Sequence, residues 1–556
     1  MKERHRNPRS SGVSDSPLGH RAPFIWLLLP FTIGLVGAKI APGELPSLAL
    51  TAIALGFVLI AAALALRHPT GWSIALTCGL ISSGAAYYEL RRDRLPAWDE
   101  LPPREASVTA RITRVFHSGL PGRFSGVAVI QATEPHLHEL VRQQVALSLQ
   151  LGAGHSAPIR GSTVNVIGLI ESLPRRPSAD PFIGYLVNRG TNFRLTRGRL
   201  LEAVEPAGPY ARWRARMYDR ASVCLGVGLE QHPYLAAALR GMLLGERHGL
   251  NDDQRDLYLR SGAMHLFAIS GLHIGVIAGG VIAILRLIRL PPLARFLVGS
   301  SILWLYVDLT GALPSAVRAW LMVVCFHGSL VLRAPGNPVA ALTVSAFLVL
   351  MLDPMQLFGP GFQMSYAIVA ALLLYGLPLR LTWIDRTLPW KHLPVVSQSW
   401  WQRATARGWQ AVLGAGAISL AAALVGMVSG VAFFELLTPT AVLVNVLLVP
   451  LATVAILAGF LSLFTGLIGL TPLGLLFNHA AGVLLVLMQG ILERITALPL
   501  ASLPAQFRTP WLGSAAIAAF VSLFIWSYGY RWRVPGGFWL PFLLLAGVLL
   551  FGVRLL

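Results

Sequence analysis

Charge is what this sequence has least of. Only 13% of its 556 residues are Asp, Glu, Lys or Arg, while 55% are hydrophobic and the mean hydropathy is +0.63. A soluble globular chain carries about twice that charged share, so a simple water-soluble enzyme is excluded. Acidic residues are scarcer still, 25 against 45 Lys and Arg, which leaves a net charge of +20. The three cysteines, Cys78, Cys224 and Cys325, lie far apart without metal-ligand spacing. They encode neither a disulfide framework nor a zinc site. There is no P-loop, and therefore no ATP motor of that kind. His136-Leu137-His138 opens an H-x-H pair, but no Asp-His follows, and Glu134 and Glu139 mark the stretch as a surface turn. No nucleophile–base–orienter set can be assembled from the sequence. The expectation is a protein with no catalytic residue, no metal and no cofactor.

Apolar length is what the sequence has instead. A crossing needs roughly 20 apolar residues, and segments of that kind fall at 23–40, 47–66 and 71–90. Ten more follow, near 269–290, 294–311, 315–333, 337–353, 361–379, 409–434, 440–467, 473–491, 511–529 and 536–553. This pattern predicts a polytopic α-helical membrane protein with about 13 transmembrane helices. Residues 1–22 form a basic tail. The apolar stretch after it is too long for a signal peptide and lacks an A-x-A site, so 23–94 reads as the N-terminal helices. Residues 95–205 change character, alternating polar and β-branched residues in five short runs. These predict one OB-like β-barrel. Residues 206–265, with Arg212, Arg214, Arg216 and Arg220 around Trp213 and Tyr218, read as amphipathic interfacial helices. Residues 266–556 form the second helical domain.

Charge asymmetry sets the orientation. Alternating sides from a cytoplasmic N-terminus puts Arg286, Arg289, Arg295, Arg333, the basic loop from Arg380 to Arg407, and Arg531 and Arg533 inside. The short outside connections near 41–46, 354–360 and 435–439 contain no Lys or Arg, as the positive-inside rule requires. The barrel is then extracytoplasmic and the C-terminus outside. Arg91, Arg92 and Arg94 sit on the wrong side, which long translocated domains tolerate. The net charge itself has two readings, contact with anionic membrane lipids or a polyanionic substrate.

The informative residues are polar groups inside apolar segments, because an ionisable group at bilayer depth is costly unless it faces a cavity or a partner. One set lies between Ser261 and Gly279, where His265, Ser270 and His273 accompany Gly271, Gly275 and Gly279 at four-residue spacing. Such glycines either let two helices approach closely or form a smooth wall beside something bulky. Asp308 and Arg318 flank Pro314-Ser315. An ion pair capping two helices is the simpler reading of that pair, and substrate contact the sharper one. Gln363 and Ser365 open another helix after Asp353-Pro354, and Asn445 and Pro450 interrupt the stretch 440–467.

At these residues the sequence resembles the ComEC family of DNA-internalisation proteins of natural transformation. The resemblance rests on Gly245-Glu246-Arg247, Gly262, His265-Leu266 and Ala268-Ile269-Ser270-Gly271-Leu272-His273. It continues through Pro314-Ser315, Arg318-Ala319 and Met322, then Asp353-Pro354 with Gly361-Phe362-Gln363, Ser365 and Tyr366, and Thr438-Pro439 through Asn445 and Pro450. Upstream, Phe182, Tyr185, Leu186 and Gly190 are similar to the segment that closes the family's OB domain. Glu246 stands where Asp is frequent and Tyr366 where Phe is usual. Many members also carry a metallo-β-lactamase-like nuclease domain with an H-x-H-x-D-H site, a motif this sequence does not contain. Strand degradation is therefore expected from a separate nuclease or another part of a longer polypeptide.

The resemblance implies a channel in the bacterial cytoplasmic (inner) membrane that moves single-stranded DNA inward, working with a DNA receptor, a cytoplasmic motor and other uptake proteins. His265, Ser270, Gly271, His273, Gly275, Gly279, Asp308, Arg318, Gln363, Ser365 and Asn445 are the candidate path. Grip on a single strand combines basic groups with aromatic platforms. The barrel offers Arg111, Arg114, Arg123 and Arg142 beside Phe116 and Phe124, then Arg194, Arg197 and Arg199 beside Phe193. The same barrel face reads equally as an assembly surface with its phenylalanines in the core. A transporter for another anionic solute and a non-conducting membrane scaffold are the other readings.

Overall fold

The computed structural model describes residues 22–41, 47–92, 95, 98, 101–116, 122–152, 157–174, 181–246, 249–334, 336–530, 532 and 536–556. The basic tail before Ala22, Arg94, Arg247, Arg531 and Arg533 lie outside them. Three helices come first: α1 (Ile25–Ile40), α2 (Ser47–Leu64) and α3 (Pro69–Arg92). Glycine brings α1 and α3 together, since a Cβ on Gly34 would run into the Ile81 carbonyl and one on Gly84 into the Phe31 carbonyl. Close helix approach through small residues is operating here.

The five alternating runs form strands β1 (Arg104–Phe116), β2 (Arg123–Thr133), β3 (Gln144–Gln150), β4 (Thr163–Ser172) and β5 (Phe193–Glu205), with the short helix α4 (Pro181–Val187) between the last two. They close into a barrel of order β1-β2-β3-β5-β4. The β3–β5 pair is parallel and the others are antiparallel. Alternation explains the closure: Ala106, Val108, Ala110 and Ile112 point inward from β1 and meet Phe124, Ile130, Leu147, Val166, Phe193 and Leu195. His136 and His138 lie in a turn outside the barrel, His136 paired with Glu134 at 3.6 Å.

After α5 (Pro209–Cys224), α6 (Pro233–Leu244) and α7 (Asp252–Arg260), the second helical domain runs through α8 (Gly271–Leu287), α9 (Pro292–Leu309), α10 (Pro314–Val331), α11 (Pro338–Leu352) and α12 (Pro360–Thr387). It continues with α13 (Trp400–Phe434), α14 (Ala441–Leu467), α15 (Thr471–Thr496), α16 (Pro510–Gly529) and α17 (Gly537–Gly552). Proline sits in the first turn of α9, α10, α11 and α12, where its missing N–H costs nothing. Pro450 behaves otherwise than the sequence suggests. α14 runs unbroken through Asn445 and Pro450, with the proline on its exposed side. Among the described residues, eight helices are long and apolar enough to cross a membrane, and α1, α6, α8, α11 and α17 are shorter apolar helices.

These helices build two apolar cores. One holds α5–α9 with α14 and α15; the other holds α1, α11, α12, α13, α16 and α17. α10 belongs to both, giving Ala316 and Ala319 to the first while Leu321 and Met322 pack on the second. Three short strands, β6 (Leu436–Leu437), β7 (Leu503–Phe507) and β8 (Val553–Leu555), join in one small sheet. That sheet gathers the ends of α13, α15 and α17 at one end of the molecule. The barrel is held by helix ends as well: Lys39 Nζ donates to Asn188 at 3.2 Å, and Arg160 pairs with Asp308 at 3.4 Å.

Candidate functional site

Between α7 and α8 the chain makes a 3₁₀ turn, Ala263–Phe267, and three other stretches of sequence meet the residues that flank it. Gly262 has φ +73°, and a Cβ there would lie 3.3 Å from Thr438 Oγ1, so the loop after α13 presses directly on this backbone. Gly245, at φ +79°, closes α6 against Leu313 and Ile269. Ser315 Oγ donates to the Ile269 carbonyl at 2.6 Å. The first, second and fourth blocks of the resemblance are therefore one structural unit. His265 sits on the turn, its Nδ1 2.8 Å from the Gly262 carbonyl, with its ring exposed.

Ser270 and His273 form the start of α8. The Ser270 backbone N–H donates to His273 Nδ1 at 3.3 Å, and Ser270 Oγ lies 2.9 Å from the same nitrogen. An Nδ1 that accepts a backbone N–H leaves the ring proton of the neutral imidazole on Nε2. That Nε2 is buried and has no hydrogen-bond partner among the described residues. His273 is fully buried, so it shapes the helix start and lies behind the surface of any path. The glycines are the opposite case. Gly271, Gly275 and Gly279 are exposed, and a Cβ on any of them would meet nothing within 4 Å. Whereas single glycines, Gly34 and Gly84, bring α1 and α3 together, the four-residue glycine spacing on α8 leaves an open face. The other side of α8 carries the packing: Gly280 faces Leu457 of α14, and Val281 and Leu285 face Gly299 of α9.

Arg318 is 2% exposed in the first turns of α10. Its Nη2 donates to the Gly361 carbonyl at 2.7 Å and its Nη1 to Gln356 Oε1 at 3.4 Å, while Nε is buried without a partner among the described residues. This ties the second block to the third. Gln363, half-buried at the start of α12, donates to the Leu357 carbonyl at 3.1 Å and accepts from Ser514 Oγ at 3.1 Å. Ser365 and Asn445 are also half-buried.

Asp308 does not pair with Arg318, and the helix-capping ion pair expected of those two is corrected. Its carboxylate accepts from Tyr210 Oη at 2.8 Å and meets Arg160 and Arg214, each at 3.4 Å. Arg160 belongs to the barrel and Tyr210 and Arg214 to α5, so Asp308 joins the barrel, α5 and α9. Burial pulls the Arg160 pKa below its ordinary value, and the neighbouring Arg214 charge adds to the effect. Asp308 is thereby placed in the joint between the barrel and the helices.

The barrel candidates divide. Phe124 and Phe193 are 3% and 1% exposed, inside the barrel core, with Phe193 edge-on to Trp98 at 5.7 Å; neither offers a face to a base. Arg194 is held by Glu171 at 2.6 Å. Arg114 Nη1 donates to Tyr185 Oη at 2.8 Å, and Phe116 packs against Phe182 and Tyr185. Arg111, Arg123, Arg142, Arg197 and Arg199 are exposed. Arg123 pairs in register with Gln150, and Gln150 with Arg199, so two of these arginines share one face across β2, β3 and β5.

Sequence reasoning missed Asn478. It is fully buried in α15, accepting from Ser462 Oγ at 2.6 Å and donating to the Cys224 and Val227 carbonyls at 2.8 Å each. A lone asparagine in an apolar run was the available signal.

A family model described as "Competence protein" matches residues 242–533, more than half of the chain and every block assembled above. The chain belongs to the competence protein family. Among its family relatives, ComE operon protein 3 of Bacillus subtilis is 31% identical over 142 residues, covering 26% of this chain and 18% of the relative. Recombination protein 2 of Haemophilus influenzae is 28% identical over 149 residues, covering 25% of this chain and 19% of the relative. These matches span less than a fifth of either curated competence relative. No solved structure matches this chain.

Proposed function

We propose that this competence-family protein carries single-stranded DNA inward across the cytoplasmic membrane. The open glycine face of α8 is the observation that carries the reading. Other helices expose large apolar side chains along their outer faces, as at Leu55 and Leu59 of α2 and Val483 and Leu487 of α15. Three glycines in a row give lipid nothing to pack on. They give a bulky, flexible polymer a smooth wall about 12 Å long, at 1.5 Å per helical residue. Exposed His265 stands at the barrel end of that wall, with Gln363, Ser365 and Asn445 in the first turns of α12 and α14.

The barrel is read as OB-like, supported by its order β1-β2-β3-β5-β4 and the parallel β3–β5 pair, and as extracytoplasmic. Thirteen crossings, α1–α3 and α8–α17, suit the small sheet, because β6 and β7 are separated by two helices and so are β7 and β8. An even number of crossings returns each strand to the same side. These residues are read as neither hydrolysing DNA nor consuming ATP, with a receptor and a motor in other proteins and a nuclease in a separate protein or another part of a longer polypeptide.

Cells lacking the protein, complemented with wild type or Gly275→Leu, test the reading. Labelled single strand should enter the cytoplasm only with wild type, at equal membrane abundance. Equal uptake by both strains would remove the glycine wall.

A further inference from the structure

Where the barrel rests on the helices there is a cavity of about 290 Å³ whose walls come from both. Arg91 enters from the end of α3, Arg114 from β1, and Arg189 from the turn after α4; Asp353, at the end of α11, is the one acid of this lining. Two of the three guanidiniums are tethered without being neutralised. Arg91 donates to the Leu352 carbonyl at 3.0 Å, and Arg114 to Tyr185 Oη at 2.8 Å. Arg189 lies 5.3 Å from the Tyr185 ring centroid and has no carboxylate within ion-pair distance among the described residues. Burial holds its pKa below the ordinary value, and the Arg114 charge works in the same direction. A cluster of three cations against one acid, with Arg91 exposed and Arg114 and Arg189 half-buried, is stabilised by an anion that the protein itself does not supply.

We propose that this cavity is a phosphate site, and that it holds a backbone phosphate of the single strand between the barrel and the helical bundle. Arginine forks fit the oxygens of a phosphodiester, and three of them converging from different elements match a tetrahedral group. The neighbouring aromatics favour a nucleic acid over a phospholipid headgroup. Tyr185 lines the cavity and stacks with Phe182 at 6.2 Å and 18°, and Phe182 is half exposed. A phosphate clamp next to a ring is how single strands are held without sequence preference. A Cβ on Gly190 would lie 3.8 Å from Met355 Cγ and 3.9 Å from the Arg91 carbonyl, so the loop of the barrel sits beside both helix ends and the site draws on both halves. The choice of ligand rests on the transport reading above; the site itself rests on the cavity.

The test uses the full-length protein in phosphatidylcholine nanodiscs and a labelled oligothymidylate of about twelve nucleotides. Arg189→Gln should weaken binding about tenfold. It should also lower the log–log salt slope by about 0.7, the value for one lost phosphate contact on a single strand. Arg189→Lys should recover most of the affinity, and inorganic phosphate should compete with wild type more than with Arg189→Gln. Should Arg189→Gln fail to accumulate, Arg114→Gln must show the same loss from the barrel side. Unchanged affinity and slope in both variants would overturn the site. Phosphatidylglycerol retained by wild type and lost by Arg189→Gln, with oligonucleotide affinity equal in both, would reassign it to a lipid headgroup and overturn the proposal. Binding that depends on Arg189 in a protein that transports nothing would leave the site standing and remove the transport reading.

Discussion

The guanidinium of Arg318 donates to the backbone carbonyl of Gly361 at 2.7 Å, holding the first turn of α12 against α10. α10 contributes to both apolar cores, so this bond lies where the two helical bundles join. A buried cation whose main partner is a carbonyl is a geometric device: its two donors fix the start of α12 and the turn before it relative to α10.

Replacing Arg318 tests that role. Arg318→Met removes the charge, leaves Gln356 without this partner and leaves the Gly361 carbonyl with its helix bond alone, costing about 1–3 kcal/mol. Uptake of single strand should fall more than tenfold at equal membrane abundance, with Arg318→Lys intermediate because an ammonium lacks the planar fork. Normal uptake by Arg318→Met would show that the junction is held by packing alone.

The α8 face makes the next prediction. Gly275→Leu places a side chain in open space, so the helix should insert and fold as before while transport is obstructed. His273→Ala acts differently: it removes a buried ring whose Nδ1 accepts the Ser270 N–H. Losing that link at the helix start costs about 1 kcal/mol, and uptake should fall without disappearing. Thermal unfolding of the two variants separates them, unchanged for the first and lowered for the second.

Asp308 should control barrel docking. Asp308→Asn keeps a hydrogen bond to Tyr210 but leaves Arg160 and Arg214 facing each other without a carboxylate, a loss of about 2 kcal/mol for a partly buried group. Amide hydrogen exchange around Arg160 and Tyr210 should quicken, while the buried strand β4 stays protected. Unaltered exchange at both segments would show that Lys39, Arg91 and the apolar contacts suffice.

In the barrel, the exposed and buried candidates should part company. Arg123→Gln with Arg199→Gln should weaken oligonucleotide binding and flatten its salt dependence without moving the unfolding temperature. Phe124→Ala should destabilise the barrel by about 3–5 kcal/mol through the cavity it leaves. Weakened binding in a Phe124→Ala protein that keeps wild-type stability would contradict its placement in the core.

How much of this was legible in the sequence depends on the range of the interactions. Alternation in the runs around Val108, Ile130 and Val166 is local, and it announced the five strands. Apolar length did the same for the helices. Glycine spacing was ambiguous because Gly34 and Gly84 touch backbone while Gly271, Gly275 and Gly279 touch nothing, and only the neighbours decide. Asp308 was misread because its partners, Arg160 and Tyr210, lie 148 and 98 residues away, whereas Arg318 was the near candidate. Phe124 and Phe193 sit next to arginines in sequence but point inward, since neighbouring residues on a strand face opposite sides. Asn478 is a polar signal whose partners lie elsewhere in the chain, Ser462 on the neighbouring helix and two backbone carbonyls that no side-chain pattern reveals.

The most direct test of the transport account is strand entry into sealed vesicles. Purified protein in phosphatidylcholine–phosphatidylglycerol liposomes is given labelled single-stranded or duplex DNA outside, followed by an added nuclease that destroys whatever has not entered. Wild type should protect single strand in proportion to reconstituted protein, protect duplex no better than empty vesicles, and lose the difference in Gly275→Leu. Protection of single strand equal to that in empty vesicles, from protein shown to be folded and inserted with its barrel outward, would contradict the claim that this chain forms the path.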